Sequence, residues 1–194
     1  MASTAHDLCG FTLTRWNRLP LTYRLRFAAG LYLGWRYHRI DVGFAFASPG
    51  VPESLIRPPF TQHTINCSTL TASVLTACFP SSPWGSRGYG DLQVFADRLP
   101  DNPDSPIQAV EHAGIGSRVA DTFAPNMWHL VQGWRTLDPP RGHAFLMRDD
   151  GDSLLVLEAT TNIGPRWKRT TRKRLHRDYP AALYAAAIGE GVRG

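Results

Sequence analysis

The dipeptide Asp150-Gly151, placed between two apolar segments, is the sequence feature that most constrains the fold. Asp-Gly between alternating apolar residues is a strong signal for a β-hairpin closed by a two-residue type I′ turn. If these two residues form the turn, residues paired across the hairpin have numbers that add up to 301, and His143 lies opposite Glu158. Phe145, Met147, Leu154 and Val156 share the face of this pair. The hairpin therefore predicts a histidine and a carboxylate side by side at the end of an apolar sheet face, with a purely structural ion pair as the alternative.

The order of the other elements predicts an α+β fold, with helices packed on one face of a small antiparallel sheet. A third strand is predicted over 127–135, ahead of the hairpin strands at 142–148 and 153–160. The segment 80–106 is rich in Pro, Gly, Ser and Asp, and we expect a long irregular insertion there, with 80–103 as a lid or substrate loop. Helices are predicted over 21–38, 66–79, 90–99 and 104–114, and a short strand is predicted over 42–47. In the last helix, Ser105 is the expected cap and Pro106 occupies the first helical position.

A cysteine occupies the first turn of the helix predicted in the segment INCSTLTASVLTACFP, residues 65–80. Apolar or small residues recur along this helix with a spacing that predicts a face turned towards the sheet, and Cys67 lies on that face. Thr64 or Asn66 is the expected N-cap. Cys78, at the other end of the same face, is predicted to be a core cysteine. Cys67 is either a second core cysteine or a nucleophile, and the position at the helix N-terminus favours its thiolate form.

The cysteine at the helix N-terminus and the histidine–carboxylate pair of the hairpin together supply the groups used in nucleophilic catalysis. An imidazole close to a thiol takes its proton, and a carboxylate fixes the orientation and tautomer of that imidazole. In this sequence Cys67, His143 and Glu158 supply these three groups. The sequence therefore predicts a cysteine nucleophile with a histidine base and an orienting acid.

Composition limits the other classes of function. The chain of 194 residues fits one domain, and no segment reaches the roughly 18 apolar residues that span a bilayer. Three cysteines without a Cys-x-x-Cys motif indicate neither a disulfide framework nor a zinc site, and we expect a reducing compartment, no metal and no cofactor. The aspartates around Gly151 lack the spacing of a calcium loop. The formal charge of +5 is concentrated in 166–177, which holds seven of the 21 Lys and Arg residues.

The residues around Cys67 and His143 resemble those of a known family. A cysteine at a helix N-terminus, followed by a Gly-His that opens one strand and a polar residue in the next, resembles the NlpC-type cell-wall cysteine peptidases. The stretch GHAFLMRDDGDSLLVLEATTN also resembles their CHAP amidase relatives. The resemblance implies a papain-like α+β fold, with Cys67 as nucleophile, His143 as base and Glu158 as the orienting residue. Around the catalytic core, 61–165, we expect an N-terminal part, 1–60, and a basic C-terminal extension, 166–194, in one domain.

The function implied by this resemblance is hydrolysis of an amide bond, with a peptidoglycan stem peptide or a muramyl amide as the substrate. Asn66, Gln132, Trp134 and Asn162 are candidate substrate-binding residues, although Trp134 also fits a core position. Without a clear signal peptide, we expect synthesis in the cytoplasm and delivery to a cell wall by a phage particle or a secretion system. The alternative is a non-catalytic binding or virion-associated module. Its anionic partner, nucleic acid or a charged surface, would contact Arg166, Lys168, Arg169, Arg172, Lys173, Arg174 and Arg177.

Overall fold

The structure is a computed structural model that describes residues 10–37, 64–80, 95–119, 123–138, 140–161 and 163–189. The strand predicted over 42–47, the residue Asn162 and most of the segment 80–103 lie outside these ranges. The chain divides into two compact units, Met1–Gln93 with Ala159–Pro165 and Val94–Glu158 with Arg166–Gly194, and each is described by itself below. The predicted division at residues 60 and 165 stays a prediction.

The described elements confirm the α+β class. The helices are α1 (Leu13–Arg18), α2 (Leu21–Gly30), α3 (Cys67–Cys78), α4 (Pro106–His112) and α5 (Arg172–Asp178). The strands are β1 (Arg36–Tyr37), β2 (Thr64–Ile65), β3 (Gly116–Val119), β4 (Trp128–Leu137), β5 (Pro140–Asp149), β6 (Leu154–Thr160), β7 (Gly164–Thr170) and β8 (Ala182–Ile188).

In the first unit, α1 and α2 pack on α3 and bind its C-terminal carbonyl groups. The indole Nε1 of Trp16 donates to the carbonyl oxygen of Ala77 at 2.8 Å, and Nη1 of Arg24 donates to that of Cys78 at 2.6 Å. The last carbonyls of a helix have no partner inside the helix, so these side chains satisfy groups that would otherwise be buried without a hydrogen bond. The helix predicted over 21–38 is too long, because α2 ends at Gly30 and Gly34 adopts a φ of +91°, outside the helical region. Strand β1 then pairs in parallel with β2.

In the second unit, an antiparallel sheet of six strands has the order β3-β8-β4-β5-β6-β7. The three strands predicted from the sequence correspond to β4, β5 and β6. The basic stretch 166–177 continues this fold as most of β7 and most of α5. Strand β8 lies between β3 and β4 in the sheet. The helix predicted over 104–114 is confirmed as α4, with the hydroxyl of Ser105 accepting from the backbone N–H of Gln108 at 3.1 Å. The helix predicted over 90–99 is wrong for its described part, because residues 95–99 form turns.

The register of the central hairpin differs from the prediction by two residues. Met147 pairs with Val156 and Asp149 with Leu154, so the paired numbers add up to 303 and not to 301. The reason is the turn, which contains the four residues 150–153 and is closed by a hydrogen bond from Asp150 N–H to the Ser153 carbonyl at 2.9 Å. Side chains alternate between the two faces of a strand, and a change of two in the sum keeps every residue on its predicted face. His143 and Glu158 therefore share a face as diagonal neighbours and not as an opposed pair.

Helix α5 covers the sheet face on which this pair lies. Leu175 and Tyr179, from α5 and the residue after it, are buried against the apolar side chains of that face. The predicted face residues Phe145, Met147, Leu154 and Val156 all belong to this core, together with Phe123, Val131 and Ala185. Helix α4 contacts β3, β4 and β8.

Candidate active site

Cys67 is the first residue of α3 and is held by a capping box. The side-chain Oδ1 of Asn66 accepts from the backbone N–H of Thr69 at 2.8 Å, and Oγ1 of Thr69 accepts from the N–H of Asn66 at 2.9 Å. Asn66, one of the two expected caps, is thus the N-cap. This reciprocal pair satisfies two N–H groups at the start of the helix, and it fixes the backbone on which the thiol is mounted.

The surroundings of the two described cysteines differ less than the sequence suggests. Cys67 is 6% exposed, and its Sγ lies 4.0 Å from the hydroxyl oxygen of Ser68. Cys78 is 0% exposed, as expected for a core cysteine. Every residue of α3 from Cys67 to Leu75 is buried, so the helix is enclosed on all sides over its first two turns. Both cysteines are therefore buried, and only Cys67 keeps a small exposed area as a residue.

His143 and Glu158 lie next to each other, as the hairpin predicts. The Nε2 atom of His143 is 3.4 Å from Oε2 of Glu158, and the two side chains are 13% and 1% exposed. A charge-assisted hydrogen bond between such groups is usually about 2.7–2.9 Å long, so this contact is loose. Catalytic hydrogen bonds are often long in the absence of substrate and shorten when it binds.

Two cations of β7 also bind Glu158, and sequence reasoning missed both contacts. Arg166 donates from Nε and Nη2 to Oε1 at 3.1 and 2.8 Å, and Nζ of Lys168 lies 2.8 Å from Oε2. Burial alone would raise the pKa of the Glu158 carboxyl, but hydrogen bonds from His143, Lys168 and Arg166 outweigh it and lower the pKa to about 2. Glu158 is therefore ionised at neutral pH, and His143 shares Oε2 with a lysine.

An aromatic ring stacks on His143. The Tyr179 ring lies 6.0 Å from the imidazole, centroid to centroid, at an interplanar angle of 11°. Gly133 is the partner of His143 across β4 and β5, and a Cβ atom at Gly133 would overlap the Tyr179 ring. Glycine thus leaves the space that the ring fills. A glycine inside a strand is a known sign of such a close approach, and it is the signal by which Gly133 could have been recognised.

Gln132 and Trp134 are both fully buried, which favours a core position for them. The Gln132 amide donates from Nε2 to the carbonyl oxygens of Ala96 and Arg98 at 3.2 and 3.0 Å, and it anchors this irregular segment to β4. Their predicted role in substrate binding stays a prediction.

The basic stretch 166–177 is largely occupied by ion pairs within the protein. Besides the two cations on Glu158, Arg169 lies 3.2 Å from Asp150, and Arg172 binds the buried Asp149. These contacts weaken the interpretation of the stretch as a docking surface. Lys173, Arg174 and Arg177 are exposed on α5.

Two negative findings apply to the described ranges only. No group of three or more His, Cys, Asp or Glu side chains in them is arranged to hold a metal ion. Among the helices that the structure describes, none is long and apolar enough to cross a membrane.

Comparison with known proteins adds no identification, since no family model, curated protein or solved structure matches this chain. The site thus rests on its own geometry. Cys67 and its cap belong to the first unit, and the His143–Glu158 pair belongs to the second. The structure brings the histidine and the glutamate together, and their coupling to the thiol is a matter for proposal.

Proposed function

We propose that this protein is a cysteine hydrolase that cleaves an amide bond, with Cys67 as nucleophile and His143 as base and acid. The observation that carries the proposal is the contact of His143 Nε2 with the buried carboxylate of Glu158 at 3.4 Å. A partly buried imidazole beside an ionised carboxylate is the base half of a cysteine–histidine site. Cys67, at the capped N-terminus of α3, supplies the nucleophile of such a site.

The proposal assigns a role to each ring nitrogen of His143. Nε2, which lies 3.4 Å from Glu158, carries the proton of the neutral imidazole, and Nδ1 accepts the thiol proton. The Cys67 thiolate attacks the amide carbonyl, and the backbone N–H of Cys67 helps to bind the oxyanion. Protonated His143 then gives its proton to the leaving amine. Water, deprotonated by His143, hydrolyses the thioester and restores both groups.

The proposed substrate class comes from the resemblance to NlpC-type and CHAP enzymes, which points to a peptidoglycan stem peptide or a muramyl amide. The papain-like arrangement of α3 and the sheet belongs to the same proposal. Such a substrate requires delivery to a cell wall, for which we propose a phage particle or a secretion system.

The first experiment tests whether Cys67 and His143 are coupled. The alkylation rate of each cysteine is followed against pH by mass spectrometry, in the wild type and in His143→Ala. We expect Cys67 to be alkylated faster in the wild type than in His143→Ala, because the imidazole takes the thiol proton. Cys78 is the internal control, and His176→Ala, which removes an exposed histidine on α5, is the matched variant. A pH profile of Cys67 that is the same with and without His143 would overturn the proposal.

The second experiment tests turnover. Purified peptidoglycan is incubated with the wild type and with Cys67→Ser, and new amino groups and soluble fragments are measured. Release that the serine variant abolishes supports the amidohydrolase. Coupled cysteine reactivity without release would leave the nucleophile in place and refute peptidoglycan as the substrate.

The non-catalytic alternative, in which 166–177 binds an anionic partner, has less support. Six of its seven cations form ion pairs with carboxylates of the protein itself. We therefore retain it only as the outcome in which Cys67 is inert.

A further inference from the structure

The surface formed by the first two described helices combines positive charge with exposed apolar side chains. Residues 10–37 contain five arginines and no Asp, Glu or Lys. Arg24 is directed inward, since it is buried, binds the Cys78 carbonyl and lies over the Phe79 ring. The other four, Arg15, Arg18, Arg26 and Arg36, are exposed. No acidic residue of this segment offsets their charge, in contrast to the paired cations of β7.

Helix α2 has apolar side chains on two sides. Leu25, Ala28 and Ala29 are fully buried and account for its packing in the first unit. Tyr23 and Phe27 are 55% and 41% exposed and lie four residues apart, so they are neighbours on the outward side, with Arg26 next to them. The Phe27 ring also lies 6.3 Å from the ring of the buried Trp16, centroid to centroid, so this side keeps only part of its apolar area exposed.

The residues before α1 lie next to this side of α2. The Phe11 ring lies 5.2 Å from that of Phe27, centroid to centroid, which brings the residues before α1 next to α2. Leu13, two residues further on, is 42% exposed. We call Leu13, Arg15, Arg18, Tyr23, Arg26 and Phe27 the N-terminal surface. Aromatic and aliphatic side chains beside exposed arginines are typical of a surface that lies in the interface of a lipid bilayer.

We propose that the N-terminal surface docks on an anionic lipid bilayer, with Tyr23, Phe27 and Leu13 entering the headgroup region and the arginines binding lipid phosphates. Charge complementarity favours this partner, because the arginines supply the attraction for negative lipids. The exposed Phe and Leu side chains favour it over nucleic acid, whose protein interfaces are mainly polar. The proposal goes beyond amide hydrolysis and does not depend on it, since it uses neither Cys67 nor His143.

The test is flotation of the full chain with vesicles of phosphatidylcholine alone, and of phosphatidylcholine mixed with phosphatidylglycerol. We expect binding to the mixed vesicles only. Arg15→Gln with Arg26→Gln should weaken it roughly twentyfold, at about fivefold for each arginine. Tyr23→Gln with Phe27→Gln should weaken it roughly tenfold or more, because apolar area no longer leaves water.

Two control variants test whether vesicle binding depends on the N-terminal surface and not on exposed arginines or apolar side chains in general. Arg174→Gln with Arg177→Gln removes two exposed arginines from α5, and Leu137→Gln with Ile163→Gln removes two exposed apolar side chains that are 50% and 57% exposed. Neither pair should change vesicle binding, and circular dichroism should show that all four variants are folded. If the Tyr23 and Phe27 pair does not fold, Tyr23→Gln alone replaces it.

Three results would overturn the proposal. Equal binding to both vesicle types would remove the role of lipid charge. Full binding by the Tyr23 and Phe27 variant would leave only electrostatic attraction. Binding to double-stranded DNA that the Arg15 and Arg26 variant loses, without binding to vesicles, would identify a nucleic-acid surface instead.

Discussion

Glu158 binds three groups at once, and the distances rank them. Its contacts with Arg166 and Lys168 are 2.8 Å at their shortest, whereas that with His143 is 3.4 Å. Because Glu158 is almost completely buried, removing it would leave these cations without their counter-charge, at a cost of several kcal/mol. Anchoring β7 to β6 is thus the main structural role of this carboxylate, and orienting the imidazole is the role that the proposed activity adds.

The low pKa of Glu158, about 2, predicts how stability changes in acid. An unfolded glutamate has its ordinary pKa near 4.5, so the folded state holds fewer protons than the unfolded state below that value. The stability that this group contributes is complete above about pH 4.5 and is lost as the pH falls towards 2. The total is on the order of 3 kcal/mol. We expect urea midpoints to fall over this window in the wild type and to be flatter in Glu158→Gln, which is less stable at neutral pH. Parallel profiles would contradict this assignment.

At the scale of single elements, the capping box of α3 gives the next prediction. Asn66→Ala removes the acceptor for the Thr69 N–H, and this N–H is then buried without a partner. We expect a loss of about 1–2 kcal/mol in the free energy of unfolding, measured in urea. Thr12→Ala is the control, because Thr12 caps the exposed start of α1 through a longer contact of 3.3 Å. Its cost should be about 0.5 kcal/mol, and an equal loss in the two variants would refute the importance of burial at the α3 cap.

The packing of β4 against Tyr179 predicts that Gly133 tolerates no side chain. In Gly133→Ala the new Cβ would overlap the Tyr179 ring, so the ring or the strand has to move, at a cost of about 1–3 kcal/mol. The shift would also displace the ring stacked on His143, and the pH profile of Cys67 alkylation should change if His143 is its base. Gly30→Ala, at the end of α2, is the control, since nothing lies within 4 Å of a Cβ there. The Gly30 variant should be neutral or slightly stabilised, and a similar loss in both would show that the Tyr179 contact is not the cause.

Local pattern and strand periodicity were enough to predict the elements that form the candidate site. The alternation of apolar residues around Asp150-Gly151 predicted that His143 and Glu158 share one face of the sheet. The predicted turn was two residues too short, but this error shifts the strand pairing by an even number and leaves both residues on that face. The turn itself could not be predicted, because Asp-Gly also fits the four-residue loop that Asp149 stabilises by accepting from the Gly151 N–H at 2.9 Å.

Long-range contacts explain what the sequence could not show. Strand β8, residues 182–188, is rich in alanine, a residue with low strand propensity, yet it lies between β3 and β4 where small side chains fit. Arg166 and Lys168 belong to a run of cations that resembles a solvated basic surface. Only the pairing of β7 with β6 brings them to Glu158.

Among the described residues, the cations of the two units differ in their partners. In the second unit, Arg148 and Arg169 bind Asp150, and Arg172 binds Asp149, all at or near the hairpin turn. In the first unit the exposed arginines of residues 10–37 have no acidic residue within that segment. The basic character of the chain therefore indicates two different roles, internal ion pairs in β7 and α5 and an outward surface in α1 and α2.

At the scale of the whole protein, His129 should cause a second loss of stability as the pH falls. This side chain is fully buried on β4, next to the Phe123 ring. Burial lowers its pKa from 6.5, more than contact with the Met127 backbone and the charge of Asp149 raise it. Asp149 is itself bound to Arg172, which limits its attraction for a second cation. His129 is thus held neutral, and its protonation opposes folding.

This lowered pKa fixes the sign of the effect. Below pH 6.5 the unfolded chain binds a proton at this residue that the folded chain does not, so the free energy of unfolding falls as the pH drops. We expect the free energy of unfolding of the wild type to fall between about pH 7 and 5. In His129→Leu it should stay constant over this range. The control His176→Gln, which replaces an exposed histidine on α5, should behave like the wild type. The loss due to Glu158 begins only below about pH 4.5, so the double variant His129→Leu with Glu158→Gln should lack both steps. An unchanged slope between pH 7 and 5 in His129→Leu would show that a group other than His129 titrates between these pH values.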